Sequence, residues 1–377
     1  MEKARVVAQG YSQRPGQFDE TYAPVAKMAS VRLLLTWAAV QDLDIYQFDC
    51  KTAFLHAKIR HPNYARQFPG YTLKNPGKVL RILVAFYGLR QSAFEFYTLL
   101  MSLFLDFGLI RCEVDHGVFY GKWNSPPDSS IPMPSNGDPL VLYIPIHVDD
   151  GLAITNSLHL YQWFLTILKK KLLIVDLGEC SKFLSIVIIR DRSKRQLWLS
   201  SHLYVSELLV EWNLSNAKYP HTPFPYKFTV HDQPSALPDI SDDELISKYQ
   251  RLVGCLMYLG VSTRPDITYY AMWLGQFSSK PTRSHMLAAK HVLRYLGGTK
   301  LLALSLGVPP PWHHLSRIAS VLLLRVWVVL MLIGLRIPLI VRVSLDILSF
   351  FKALLFHGHP SNKKLSLSLQ LKPNTTL

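Results

Sequence analysis

The chain has 377 residues, 49% of them hydrophobic, with a formal net charge of +15. That is material for two or three subdomains with a buried core, and the basic excess suits a polyanionic partner. Cys50, Cys112, Cys180 and Cys255 are scattered, with no Cys-x-x-Cys pair and no histidine at zinc spacing, which excludes a zinc module and reads as thiols in a reducing compartment.

Met1-Glu2-Lys3-Ala4-Arg5 leads into polar sequence, so no signal peptide is expected. Residues 1–40 are predicted to hold a short strand, a loop bearing Pro and Gly, and the start of a helix over 30–41. Period-two alternation in Leu43-Asp44-Ile45-Tyr46-Gln47-Phe48-Asp49 predicts a strand with Asp49 at its C-terminal end. A helix is expected over 92–107, then a polar, proline-rich loop at 124–138. The apolar runs 140–144 and 152–155 flank a polar break containing Gly151, which reads as a hairpin with Asp149 and Asp150 at its turn. Further on come a helix over 158–171, paired strands at 183–190 and 196–200, a linker at 219–239 and a helical region over 242–297. No internal repeat is visible. Strands packed against segregated helices predict an α+β fold.

Asp49, Asp149 and Asp150 carry the chemistry. Three carboxylates on the ends of neighbouring strands repel one another without cations, and two Mg²⁺ ions need little more than two or three such ligands plus substrate phosphates. The pattern points to two-metal phosphoryl or nucleotidyl transfer. The same residues also read as a turn and a strand-end cap, and the motif alone leaves both readings open.

Longer motifs extend the pattern. Phe48-Asp49-Cys50-Lys51-Thr52-Ala53-Phe54-Leu55, Phe86-Tyr87-Gly88-Leu89-Arg90-Gln91-Ser92 and Val148-Asp149-Asp150 occur in order, preceded by Lys3-Ala4-Arg5-Val6-Val7-Ala8-Gln9-Gly10 and Phe18-Asp19-Glu20-Thr21-Tyr22-Ala23-Pro24-Val25. Thr263-Arg264-Pro265-Asp266-Ile267 and Leu293-Arg294-Tyr295-Leu296-Gly297-Gly298-Thr299 follow. Over roughly residues 3–307 this ordered set resembles the reverse transcriptase of copia-type LTR retrotransposon Pol polyproteins. The resemblance implies a palm, an antiparallel sheet with helices on one face, over 41–195, a truncated fingers segment over 1–40 and a helical thumb or connection over 196–307. It implies RNA-directed DNA polymerase activity, with Asp49, Asp149 and Asp150 as catalytic metal ligands for two Mg²⁺ ions, Mn²⁺ being an alternative. Phe54 would be the steric gate against a ribose 2′-hydroxyl, although by spacing alone it reads as a core aromatic. Gln91 would line the nucleotide pocket or touch the template, and Lys3 and Arg5 would neutralise the triphosphate unless they are a solvated basic pair. The implied partners are an RNA template, a DNA primer, their RNA–DNA hybrid and deoxynucleoside triphosphates. The implied location is intracellular, in a cytoplasmic virus-like particle or the nucleus.

The chain departs from the family at Pro145, at His147, where tyrosine is usual, and at Ala93-Phe94-Glu95-Phe96, where Pro, a basic residue and Trp are usual. Pro145 removes a ladder donor and is expected to disturb the hairpin that aims Asp149. These departures make a catalytically inactive nucleic-acid-binding remnant the alternative reading.

The segment 308–377 is a different kind of sequence. Residues 301–377 carry +7 of the net charge, leaving +8 for residues 1–300. Residues 319–335 are apolar except for Arg325, too short an uncharged run for a spanning helix, so a membrane-associated protein is the less favoured reading and no stable membrane partner is expected. The permitted codons of 330–336, 336–351 and 356–374, read one nucleotide earlier, allow strings similar to the family's RNase H segments. The segment is therefore expected to be a frameshifted RNase H region, poorly packed and without RNase H activity.

Overall fold

The alternating segments become the middle of a six-stranded sheet. The computed structural model describes residues 6–67, 77–224 and 243–308. Its first part contains helix α1 (Met28–Gln41) and strands β1 (Asp44–Cys50), β2 (Lys58–Ala65) and β3 (Leu80–Val84). Helix α2 (Ser92–Asp106) follows, then β4 (Ile110–Arg111), β5 (Val118–Trp123), β6 (Leu140–His147), β7 (Asp150–Thr155), helix α3 (Leu158–Lys169) and β8 (Ile174–Glu179). The large sheet has the order β4-β5-β6-β7-β1-β8, all antiparallel, while β2 and β3 form a separate hairpin.

One face of the sheet builds the main core. Leu140, Leu142, Ile144 and Ile146 of β6 join Phe48 of β1 against a stripe on α2 (Phe96, Leu100, Leu103, Phe104) and another on α3 (Leu160, Phe164, Leu168). The helical spacing of these apolar residues makes each stripe continuous. Each fully buried side chain contributes roughly 1.5–3 kcal/mol of apolar burial, before entropy is counted. Helix α3 starts where the Ser157 hydroxyl accepts the Leu160 N–H at 3.3 Å.

The opposite face is also covered, which corrects the expectation of helices on one face only. Helix α1 contacts β6 and β7, and Trp37 donates a side-chain hydrogen bond to Tyr143, which alternates away from Leu142 and Ile144. This double burial explains why β6 reads as a nearly continuous apolar run.

A second sheet comprises β9 (Lys182–Phe183), β10 (Ile186–Asp191), β11 (Gln196–Ser200) and β12 (Leu304–Gly307), in the order β12-β11-β10-β9. Between β11 and β12 lie helices α4 (His202–Glu211), α5 (Asp243–Ser262), α6 (Thr268–Gly275) and α7 (Arg283–Gly298), which share their own core. Buried Arg264 joins two motifs of this region: it is bonded to the Asp266 carboxylate and to both Thr299 O and Thr299 Oγ1, while Tyr295 donates to Asp266. At the other end of the sheet, Arg190 and Arg192 bind Asp42 at the C-cap of α1, and Arg192 also reaches Asp44.

Predicted strands and helices around 43–49, 92–107, 158–171, 183–200 and 242–297 are present, while β2, β3, β4, β5, β8, α4 and β12 are not among the sequence expectations. Lys3, Arg5 and residues 309–377, with the frameshift expectation, lie outside the described residues. Among the described residues, no helix is long and apolar enough to cross a membrane.

Candidate active site

Asp49 and Asp150 are direct partners across the β1–β7 ladder, and Asp150 is also opposite His147 across the β6–β7 ladder. Partners in register share a face of the sheet. Asp49, His147 and Asp150 therefore stand on the face opposite the α2–α3 core. Asp49 and Asp150 are half-buried, and Asp149, in the turn between β6 and β7, is exposed.

The hairpin differs in detail from its sequence reading. Its turn is Val148-Asp149, while Asp150 and Gly151 already belong to β7. Gly151 faces Phe48, and a Cβ on it would lie 2.4 Å from the Phe48 ring, so the ladder closes only with glycine there. Val148 has φ 61°, a left-handed backbone that is strained for a β-branched residue. The turn is held by the Cys50 N–H, which donates to Asp149 O at 2.8 Å, and Ile146 is bonded through its N–H to Gly117 O (2.8 Å) and through its carbonyl to Ala26 N–H (2.7 Å).

At Pro145 the β6–β7 ladder is interrupted, as the missing donor implies, but the register survives the gap. Pairing of β6 with β7 skips Ile144 and Pro145, yet Tyr143↔Ile154 and Ile146↔Gly151 lie on the same diagonal. The proline therefore removes one ladder donor without a slip.

The carboxylates form one negative cluster. Burial, opposed by a hydrogen bond from Gln47 and reinforced by Asp49 and Asp149, pushes the Asp150 carboxyl up to about 6. Burial first, then Asp49 and Asp149, pushes the neighbouring Cys50 thiol up to about 12. Among the described residues, no three acidic, histidine or cysteine side chains are already converged as a metal cage. The donor chemistry nonetheless fits Mg²⁺, which takes a few carboxylate oxygens and keeps water and substrate phosphates for its remaining positions.

Phe54 lies in the short helical turn Ala53–His56 after β1, half-buried, its ring edge-on to Tyr87 at 5.1 Å and to Phe96 at 6.3 Å. Gln91 is 2% exposed. Its amide accepts from Gln13 Nε2 at 3.0 Å and donates to Gln17 O at 3.4 Å, and Gln13 also donates to Asn63 at 2.8 Å. Gln91 thus fastens the segment 13–17 to the start of α2. Gln47 was missed by the sequence reading: its Nε2 donates to Asp150 Oδ1 at 2.9 Å. The signal was available, because a polar residue two positions before Asp49 shares its face.

Comparison with known proteins finds relatives along most of the chain. The family model described as reverse transcriptase (RNA-dependent DNA polymerase) matches residues 1–225. The chain is 32% identical over 301 residues to a retrovirus-related Pol polyprotein from transposon TNT 1-94 of Nicotiana tabacum, covering 79% of this chain and 22% of that protein. It is 34% identical over 301 residues to a retrovirus-related Pol polyprotein from transposon RE2 of Arabidopsis thaliana, covering 79% of this chain and 19% of that one. A transposon Ty5-1 protein of Saccharomyces cerevisiae is 29% identical over 257 residues, 68% of this chain and 77% of its own length. The chain thus spans about a fifth of the length of the two plant relatives. No solved structure matches it. With a matched family model over more than half its length and the carboxylate strands in register, the chain belongs to the reverse transcriptase family, as a domain of the copia-type retrotransposon Pol polyprotein kind.

Proposed function

We propose that this chain is an RNA-directed DNA polymerase module that extends a DNA primer on an RNA template from deoxynucleoside triphosphates. The observation that carries the reading is the register pairing of Asp49 with Asp150, with Asp149 in the adjoining turn. In this reading residues 41–195 are the palm, 196–307 the thumb or connection, and 1–40 part of the fingers.

Asp49, Asp149 and Asp150 would hold two divalent cations, Mg²⁺ or in its place Mn²⁺. When bound, these supply the positive charge that favours ionisation of the primer 3′-hydroxyl and departure of pyrophosphate. The chain's own part is to hold the three carboxylates on one rigid hairpin and strand, so that little reorganisation remains at the reacting phosphate. Phe54, braced by Tyr87 and Phe96, acts as the wall that a ribose 2′-hydroxyl would strike. Gln91 contributes by fixing the 13–17 segment to the start of α2. Lys3 and Arg5 would meet the triphosphate. The basic excess in residues 1–300 suits the phosphates of the hybrid, with an affinity that falls steeply as salt rises.

The test is Mg²⁺-dependent primer extension on an RNA template by the full chain, beside Asp149→Asn. Extension that the variant abolishes supports the polymerase. Hybrid binding without extension in either protein would leave an inactive nucleic-acid-binding remnant.

A further inference from the structure

Gln47 lies on β1 beside an irregularity in the neighbouring strand. Pairing of β1 with β8 shifts by one residue between Gln47↔Gly178 and Phe48↔Asp176, so Leu177 is the extra residue of a β-bulge. Gly178 takes the left-handed backbone the bulge needs, at φ 73°. Asp176 fixes it, accepting the Gly178 N–H at 2.9 Å and the Tyr161 hydroxyl at 2.7 Å through Oδ1. Just beyond the bulge, Cys180 is anchored by its N–H to Ile45 O at 2.8 Å and points its thiol at Gln47 Oε1, 3.7 Å away.

The orientation of the Gln47 amide follows from chemistry. A carboxylate only accepts, so the amide must turn Nε2 toward Asp150, at 2.9 Å from Oδ1. That leaves Oε1 for the thiol, which keeps its proton because burial pushes Cys180 up to about 12. The carboxylate, which can only accept, thus locks the side chain in one of its two flips, and the thiol can donate to the oxygen that this flip presents.

We propose that Gln47 is a positioning residue for the polymerase reaction: it holds Oδ1 of Asp150 so that Oδ2 is the oxygen left to meet a cation. The inference rests on the reading of Asp150 as a metal-holding carboxylate. It assigns the bulge a purpose, since Leu177 and Gly178 carry β8 round so that Cys180 reaches the far side of Gln47. Bulges beside active sites commonly re-aim a side chain in this way. Groups behind a metal-holding residue typically tune affinity by about 10–100-fold.

The experiment compares the full-length protein with Gln47→Leu and Gln47→Met by two readouts. One is the Mg²⁺ concentration giving half of the thermal stabilisation by Mg²⁺, with no substrate present. The other is kcat and KM for the deoxynucleotide in primer extension at saturating Mg²⁺. The proposal expects both variants to melt cooperatively, the Mg²⁺ midpoint to rise about tenfold, and kcat to fall with KM within about twofold of the parent. A Mg²⁺ midpoint within twofold of the parent would overturn it, as would loss of cooperative melting in both variants, which would make Gln47 a structural residue. Asp149→Asn separates this from the wider reading. If that variant loses extension while the Gln47 variants match the parent, the polymerase stands and the positioning role fails. If the parent does not extend a primer at all, the wider reading fails and carries this proposal with it.

Discussion

Arg264 grips Asp266 with two parallel hydrogen bonds, Nε to Oδ1 at 3.0 Å and Nη2 to Oδ2 at 2.7 Å, while remaining 3% exposed. The fork also reaches Thr299 at the end of α7, so two motifs that are 35 residues apart in sequence are one physical unit. Removing Arg264 leaves Asp266, which is exposed, so the loss comes from the fork's hydrogen bonds to Asp266 and Thr299 and from the packing of the buried guanidinium. Arg264→Ala should therefore lose about 2–3 kcal/mol of stability in urea titration, and Arg264→Lys a large part of that, because lysine cannot form the fork. A loss under 1 kcal/mol in Arg264→Ala would show that the unit does not hold the helical region together.

Gly151→Ala should damage the site without touching a carboxylate. The new methyl would collide with Phe48 and with Ile146, both in the main core. Overpacking of this kind costs about 1–3 kcal/mol, and here the strain falls on the two strands that carry Asp49 and Asp150. Denaturation should register the loss, and primer extension should fall by more than the unfolded fraction explains. Unchanged extension in a destabilised variant would mean that the ladder does not need its present closure.

Phe54→Ala tests the wall against ribonucleotides. Losing a steric exclusion of this size should raise the efficiency for ribonucleotides relative to deoxynucleotides by roughly 10–200-fold. Phe54 is braced by two rings rather than set deep in the core, so the stability loss should be modest. Selectivity equal to the parent's would reduce Phe54 to an ordinary packing residue.

Asp150 should make metal-free stability depend on pH. Its carboxyl is raised from the ordinary 3.8 to about 6, so the folded protein holds this proton more tightly than the unfolded chain does. The contribution is full below pH 3.8 and is lost as pH rises through about 6. Its size is about 1 kcal/mol once solvent screening is allowed for. Without divalent cations, melting curves of the parent and Asp150→Asn should diverge between pH 4 and 7, with the parent losing ground as pH rises. Mg²⁺ should restore the parent above pH 6 and leave Asp150→Asn little changed. Parallel curves would disprove the coupling.

Much of the site was legible because it is local. Alternation around Asp49 and around Asp149-Asp150 was enough to expect two strands and a turn, and β1, β6 and β7 follow. What escaped depends on distant partners. Nothing near Gln91 announces that its amide is satisfied by residues 13 and 17, and nothing near Gln47 announces the bulge supplied by Leu177 and Gly178. Pro145 told only part of the story for a related reason: the gap its missing donor leaves in the ladder is a local fact, but the register is fixed by the flanking pairs and by the apolar faces of β6. The position of α1 was hidden likewise, since a strand buried on both sides does not say which helix covers which side.

Strand β12 pairs with β11, closing a span of about a hundred residues that contains all four helices from α4 to α7. Among the described residues, the second sheet is therefore the last element a ribosome can finish. A nascent chain halted before Leu304 would present the outer edge of β11 unpaired, a template for another strand. Closing so long a span is slow compared with forming the helices inside it. Chaperone dependence during synthesis should therefore centre on that edge, ending when residues 304–307 emerge and dock.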